Sequence, residues 1–313
     1  MFSVGNTCLD LLMRHTNRLP RWGEELVFKD SEQRVGGQGA NFAVASARLG
    51  SPTRLLSSVG NDDMGRRLKS ELESVENLDC SLLRLEKAST GFSVAGVRTG
   101  GERFFLTYPG HQSMFSLKGA QRAIGSAGKG DLVHFSGFFL MPGAMEELGS
   151  LLVSIRDRGA TISFDPGWSP DGLSGNKAKS FWKVMESVDW FCPNEDELKA
   201  FTSKDSVDES ARVASKAVRH GIVVKRGARG CVIFEAGHRP LEVPGFRVEV
   251  VDAVGAGDAF DAGYLFGLGN GYSHAASGRL GNAAAALVVS RTGGLNQRFP
   301  SKSEVRALAG NMS

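Results

Sequence analysis

The sequence is short of cysteine, has no long apolar run and concentrates charge of neither sign. Its four cysteines, Cys8, Cys80, Cys192 and Cys231, lie far apart and form no C-x-x-C pair. Neither a zinc ribbon nor a disulfide scaffold is expected, and a reducing cytoplasm is the expected compartment. Nowhere do about 18 apolar residues run together, and the stretch from Met1 to Leu12 carries Asp10 but no charged leader. Membrane spanning and export are therefore not expected. Lysine and arginine number 37 against 34 acidic residues, scattered with nothing longer than pairs such as Arg66-Arg67. That pattern argues against nucleic acid as a partner. The six histidines share no metal-ligand spacing, and no internal repeat, low-complexity tract or long linker is visible.

Glycine is what the chain has in excess. Forty of 313 residues are glycine, roughly 13% where about 7% is usual, and they bunch around a few segments. With 41% hydrophobic and 23% charged residues, the rest of the composition is that of an ordinary globular protein. The length allows one large α/β domain or two smaller ones.

Short apolar runs rich in β-branched and aromatic residues mark strands at Arg54–Val59, Asp131–Ser136, Ala160–Asp165, Val188–Cys192, Gly221–Lys225 and Cys231–Glu235. Segments of helical period fall between and after them, at Ala40–Leu49, Met64–Glu73, Ala144–Asp157, Ser206–Arg219, Gly257–Leu268 and His274–Val289. This alternation predicts a three-layer, doubly wound, mostly parallel sheet with helices on both faces. Glu24–Arg34 and Ser89–Tyr108, the latter with a Thr99-Gly100-Gly101 turn, break the alternation and suit an antiparallel appendage. One domain over residues 1–313 is expected, with a small β-sheet lid built from about 11–35 and 88–110.

The strongest local signal is Asp252-Ala253-Val254-Gly255-Ala256-Gly257-Asp258, which leads into an apolar helix. Glycines at 255 and 257 let backbone amides face one point, and a helix starting there adds its positive end. Such a loop suits phosphate oxygens. A carboxylate there repels phosphate, so Asp258 makes sense as a base that accepts a hydroxyl proton. The plainer reading is a glycine-rich helix start with an ordinary first-turn acid. No G-x-x-x-x-G-K-[ST] loop occurs, and the position near the C-terminus is wrong for a dinucleotide fingerprint.

A second segment, Gly36-Gly37-Gln38-Gly39-Ala40-Asn41, opens a helix of small residues. Its glycines allow a ligand close to the backbone, and the Gln38 and Asn41 amides suit hydroxyl groups. A tight turn with Asn41 as a local cap is the alternative.

Together these two segments resemble the ribokinase-like, or pfkB, family of carbohydrate kinases, in the family's order and over nearly the whole chain. The resemblance implies ATP and magnesium as cofactors and phosphorylation of a hydroxymethyl group of a sugar. Asp258 would be the base, and Gly255, Ala256 and Gly257 would supply the anion hole. Asp10, Gly37, Gln38 and Asn41 would bind the sugar. Read from its own chemistry, Arg103 in the expected lid suits an anionic or hydroxyl-rich group, and Phe104 and Phe105 beside it suit substrate contact or lid core equally. Asn194 and Glu197 match the family's N-x-x-E element, which orders magnesium and phosphates through water. Lys225, Gly227 and Gly230 match its nucleotide turn, and Asn282 a position beside the adenine. Read from the residues alone, Asn194 is a helix cap and Asn282 packing in an Ala-rich helix. Many members hold a monovalent cation such as K+. By position its ligands here would be Asp252 and the carbonyls of Val254, Val289, Thr292 and Gly294. A homodimer through the lid is a further implication.

The chain also departs from the pattern. Ala253 replaces a hydroxyl residue, Cys8 and Gln38 stand where ribokinase carries a sugar-binding Asn and a Lys, and Gly137–Pro142 lacks the substrate Glu. No Tyr and Arg pattern of the ketodeoxygluconate kinases occurs over Asp165–Ser169. A nucleoside kinase with Phe104 stacked on a base, and a non-catalytic sugar- or nucleotide-binding regulator, are the alternative functions. His111 and Gln112 suit a hinge.

Overall fold

In chain order the first strands are β1 (Phe2–Gly5), β2 (Cys8–Arg14), β3 (Ser31–Gly36), β4 (Thr53–Gly60), β5 (Leu78–Asp79), β6 (Leu83–Glu86), β7 (Phe92–Val97) and β8 (Arg103–Tyr108). They are followed by β9 (Leu132–Ser136), β10 (Thr161–Asp165), β11 (Trp190–Phe191), β12 (Gly221–Lys225), β13 (Cys231–Glu235) and β14 (Leu241–Val243). The helices are α1 (Gln38–Arg48), α2 (Asp63–Glu73), α3 (Gln121–Ile124), α4 (Pro142–Asp157), α5 (Gly175–Met185) and α6 (Glu195–Thr202). After them come α7 (Val207–Ala214), α8 (Ala256–Gly269), α9 (His274–Val289), α10 (Leu295–Arg298) and α11 (Lys302–Ala309). This computed structural model describes residues 1–14, 18–28, 30–97, 103–118, 121–124, 126–169, 172–293 and 295–310, without the side chains of 103, 121, 122 and 296.

Among the described residues a ten-stranded sheet runs β14-β13-β12-β11-β10-β9-β1-β4-β5, with β6 also on β4. Its pairings are parallel from β4 to β12 and antiparallel at the β12–β13–β14 edge. Both faces are covered, so its central strands β1, β9 and β10 are buried almost throughout rather than exposed at every second residue. Val223 points into a core with Phe42 of α1, Phe260 of α8 and Leu280 of α9. Ile222 and Val224 point the other way, into a core with Leu148 of α4, Phe181 of α5 and Leu198 of α6. The expected three layers are present.

A separate four-stranded sheet, ordered β3-β2-β7-β8, stands apart from the large one. Two expectations for this region need correction. The sheet is mixed, because β2 and β7 pair in parallel while β2–β3 and β7–β8 are antiparallel. The chain between β2 and β7 passes through α1, β4 and α2 of the large layer, and it re-enters running the same way. The strand expected at Glu24–Arg34 begins only at Ser31, and residues 24–28 carry no regular structure. Ser31 pairs with Met13 and the Asp30 carbonyl accepts the Arg14 amide at 3.2 Å, and β2 ends at Arg14, so among the described residues the ladder ends there. The Thr99-Gly100-Gly101 turn lies outside the described residues.

Val188–Cys192 contracts to the two residues of β11, and the helix expected over Ser206–Arg219 stops at Ala214. The structure adds β5, β6, β14, α5 and α6, which are short or weakly patterned in sequence.

Candidate active site

Turns at the carboxyl ends of the parallel strands form the floor of a cleft of 1310 Å³. Asn6 follows β1, Gly137 follows β9, Asp165 ends β10, Asn194 follows β11 and Lys225 ends β12, and all five line it. That edge is where open α/β sheets bind ligands, because loops diverge there and helix N-termini point in. The small sheet supplies a wall, with Cys8 and Asp10 of β2, Ser93 of β7, and Phe105 and Thr107 of β8. Phe104, on the opposite side of the pleat, packs its ring against Gly96, so Phe105 takes the place expected for Phe104.

Backbone geometry creates the glycine-capped loop at the head of α8. Gly255 caps α8 with φ +82, a left-handed conformation that glycine adopts without strain. The following Ala256, Gly257 and Asp258 begin the helix, where amides have no partner within the helix itself. Gly37 caps α1 in the same way at φ +91, and a Cβ there would come within 2.5 Å of the Asn6 carbonyl oxygen.

Asp258 projects from the first turn of α8 and is 6% exposed. Asn41 of α1 donates its amide to Asp258 Oδ2 at 2.8 Å, and Asn41 Oδ1 accepts from Arg298 Nη2 at 2.9 Å. Burial, reinforced by the negative charge of Asp165, pushes the Asp258 carboxyl up to about 7, with the Asn41 bond and Lys225 acting in the opposite sense. Such a carboxylate is poised to take a proton near neutral pH.

Beside the loop stands a buried charge cluster. Lys225 Nζ donates to Asp165 Oδ2 at 2.7 Å and to Asp261 Oδ2 at 3.1 Å, and it lies 3.5 Å from where a Cβ on Gly257 would be. Burial opposes ionisation of Asp165, yet the Lys225 charge and a bond from Asp261 hold it below the usual carboxylate range. Asp261 is raised well above that range by burial, so it carries the proton of the pair. The sequence marks Lys225 but gives no sign of Asp165 or Asp261, which only the packing of β10, β12 and α8 brings together.

On the side of the small sheet, Asp10 is buried in the wall, with its carboxyl over Gly36, and it accepts from Cys8 Sγ at 3.7 Å. Gln38 donates to Asp165 Oδ2 at 3.2 Å, and its backbone amide is held by Asn6 Oδ1 at 2.9 Å. The backbone of Arg103 opens β8, and its side chain lies outside the described residues. His111 joins the two sheets by accepting the Gly91 amide at 2.9 Å and bonding the Ser58 carbonyl of β4 at 2.8 Å. Gln112 accepts from Asn6 at 2.9 Å.

On the opposite side, Asn194 and Glu197 form a reciprocal capping box on α6, with bonds of 2.9 and 2.8 Å. The cap reading and the cleft position both hold, because these residues also line the cleft. Burial and the Asp165 charge push Glu197 up to about 7. Its hard oxygen donors fit a hydrated magnesium ion. Gly227 and Gly230 form the β12–β13 turn and face the cleft. Asn282 is committed to the carbonyls of Val243 and Pro244, both at 3.1 Å, so it fixes the loop that continues to Phe246 in the cleft wall.

Among the described residues, the set implied for a monovalent cation does not form an open cage. Asp252 is paired with Arg34, the Val289 carbonyl accepts two backbone amides, Thr292 is exposed, and Gly294 lies outside the described residues. Val254 lines the cleft.

Comparison with known proteins identifies the family and the fold. The model of the "pfkB family carbohydrate kinase" matches residues 2–301. A protein described as an uncharacterized sugar kinase of Archaeoglobus fulgidus is 30% identical over 249 residues, 79% of this chain and 95% of its own length. The ribokinase of Haemophilus influenzae is 25% identical over 87% of this chain and 86% of its own. The structure of Arabidopsis thaliana ribokinase complexed with ribose and ATP has the same fold, with a TM-score of 0.82 at 23% identity, over 98% of this chain and 97% of that one. With the anion loop, its carboxylate and the family model all falling on one continuous fold, the chain belongs to the pfkB family of carbohydrate kinases.

Proposed function

We propose that this protein transfers the γ-phosphoryl group of ATP to a hydroxymethyl group of a sugar. The observation that carries the reading is Asp258, held by Asn41 at the head of a glycine-capped helix inside the cleft. Asp258 would accept the hydroxyl proton as the oxygen attacks, and the amides of Gly255, Ala256 and Gly257 would stabilise the charge on the transferring group. The Lys225 ammonium beside Gly257 would add a fixed positive charge at the same point. Asp10, Gly37, Gln38 and Asn41 would orient the acceptor, with Arg103 as a further contact from the small sheet. Gly227, Gly230 and the loop fixed by Asn282 would receive the nucleotide, and Asn194 would set the position of Glu197.

Glu197 would hold magnesium through water, and the ion would offset phosphate charge when bound with the nucleotide. The family membership and a ribose- and ATP-bound neighbour of the same fold support this reading. The small sheet would act as a lid on a single domain, hinged where His111 joins the sheets, and closure would exclude water. Leu106 and Tyr108, exposed at 61% and 47% on the sheet face turned from the cleft, would serve a homodimer. Four unpaired cysteines suit a cytoplasmic location.

The test is ADP release with ATP and magnesium across pentoses, hexoses, ketoses, sugar acids and nucleosides, with Asp258→Asn as control. Turnover of one sugar class that the variant abolishes is expected. Preference for nucleosides would move the acceptor to a base-stacking reading through Phe105. ATP binding with no transfer to any acceptor would favour a regulator.

A further inference from the structure

The side chain implied as a ligand for a monovalent cation already has its counter-charge. Asp252 and Arg34 are 1% and 3% exposed, and Arg34 Nη1 donates to Asp252 Oδ2 at 2.6 Å. Asp252 Oδ1 accepts the Val254 amide at 2.9 Å. Burial disfavours the ionised carboxyl, but the Arg34 charge and hydrogen bond hold Asp252 below its ordinary range. The Val289 carbonyl is also engaged, accepting the amides of Val251 at 2.8 Å and Asp252 at 3.1 Å.

A second guanidinium stands close by. Arg298 is 1% exposed, and burial followed by the Arg34 charge pushes it down to about 10, while Asp10, Asp252 and Asp258 pull it up. Among the described residues, Nε and Nη2 of Arg34 and Nε and Nη1 of Arg298 are buried without a protein partner. Every one of those groups is a donor. They call for an acceptor, and a metal cation offers none. A cation entering here would meet the guanidiniums of Arg34 and Arg298, with Arg14 4.0 Å from Asp252 Oδ2, and a carboxylate whose two oxygens already accept from Arg34 and the Val254 amide.

From this we infer that a guanidinium replaces the monovalent cation in this protein: Arg34, reaching from β3 of the small sheet, neutralises Asp252 and braces the anion loop, so phosphoryl transfer needs no K+. The inference rests on the kinase reading for its catalytic half, whereas the Arg34–Asp252 brace stands on the geometry alone. It also links the small sheet to the start of α8 across 218 residues of sequence.

The experiment compares K+, Na+ and tetramethylammonium chloride at equal ionic strength, reading both turnover of the best acceptor and the thermal melting temperature. For the unaltered enzyme, kcat/KM within about two-fold in all three salts and an unchanged melting temperature are expected. A rise of about ten-fold or more in K+ over tetramethylammonium, or a melting temperature raised by K+ alone, would overturn the inference. Arg34→Met removes the guanidinium bonded to Asp252 and leaves only the more distant Arg14, 4.0 Å from Asp252 Oδ2. It should lose turnover in tetramethylammonium and recover part of it in K+, whereas full activity in tetramethylammonium would also overturn the role of Arg34. Arg34→Lys keeps the charge if the Met variant does not fold, and it should remain indifferent to K+. Absence of turnover in every salt with every acceptor would instead count against the kinase reading, and the melting comparison would still decide the cation question.

Discussion

Asn41 donates a 2.8 Å hydrogen bond to the Asp258 carboxylate from a helix 217 residues away in sequence. The same amide accepts from Arg298, so one side chain fixes the Asp258 carboxylate and ties it to a buried positive charge. Both segments that the sequence singles out therefore meet at a single atom pair.

Asp258→Asn should lower kcat by about 10²- to 10⁴-fold, the usual worth of a positioned base. The Asn41 donor keeps an oxygen to bond, so the fold should be retained. Single-turnover kinetics with a nucleotide-binding measurement checks this, and near-normal turnover would remove Asp258 from the mechanism.

The pH dependence follows from the same carboxyl. With Asp258 at about 7, kcat/KM should rise with pH and level off above that value, because the ionised form is the base. Stability should move the opposite way. A folded-state value raised above the ordinary aspartate value of 3.8 contributes stability that is full below 3.8 and lost as pH climbs through about 7. The melting gap between Asp258→Asn and the unaltered enzyme should therefore widen from acid to alkaline buffer. Glu197→Gln should leave the Asp258 limb of the rate profile in place, which separates the two carboxyls at about 7.

Asn41→Ala removes a bond that favours the ionised base. The apparent value in the kcat/KM profile should move upward, and the buried Asp258 and Arg298 left without this partner should cost about 1–3 kcal/mol in urea unfolding. An unchanged profile with an unchanged unfolding midpoint would dismiss the brace.

Lys225→Met should be the most damaging to stability. It leaves Asp165, 2% exposed, and Asp261, fully buried, without their cation, and breaking a buried pair costs about 3–5 kcal/mol. Denaturant unfolding measures it. Lys225→Arg tests whether charge alone suffices beside Gly257.

Gly255→Ala separates backbone strain from crowding. The nearest atom to an added Cβ is 3.5 Å away, so space is adequate, but φ +82 is unfavourable for alanine. A stability loss of about 1–2 kcal/mol, with a larger effect on kcat than on sugar KM, is the expected outcome in paired unfolding and kinetic assays.

Much was legible in the chain because it is local. The glycine spacing at 36–39 and 255–257, the apolar runs of β9, β10, β12 and β13, and the small-residue faces of α1, α8 and α9 each report on their own backbone and burial. The mixed order of the small sheet was not legible, since strand direction depends on where the chain goes between β2 and β7. Nor were Asp165 and Asp261 around Lys225, Arg34 on Asp252, or Arg298 on Asn41, because an isolated acid or arginine reads as surface in sequence. The sequence alone determined the alternating layers, the glycine-capped helix start and the carboxylate at its head, all set by short-range patterns of size, polarity and glycine. Only the tertiary structure decided how those charges are partnered, because a buried ion's state depends on what long-range packing places against it.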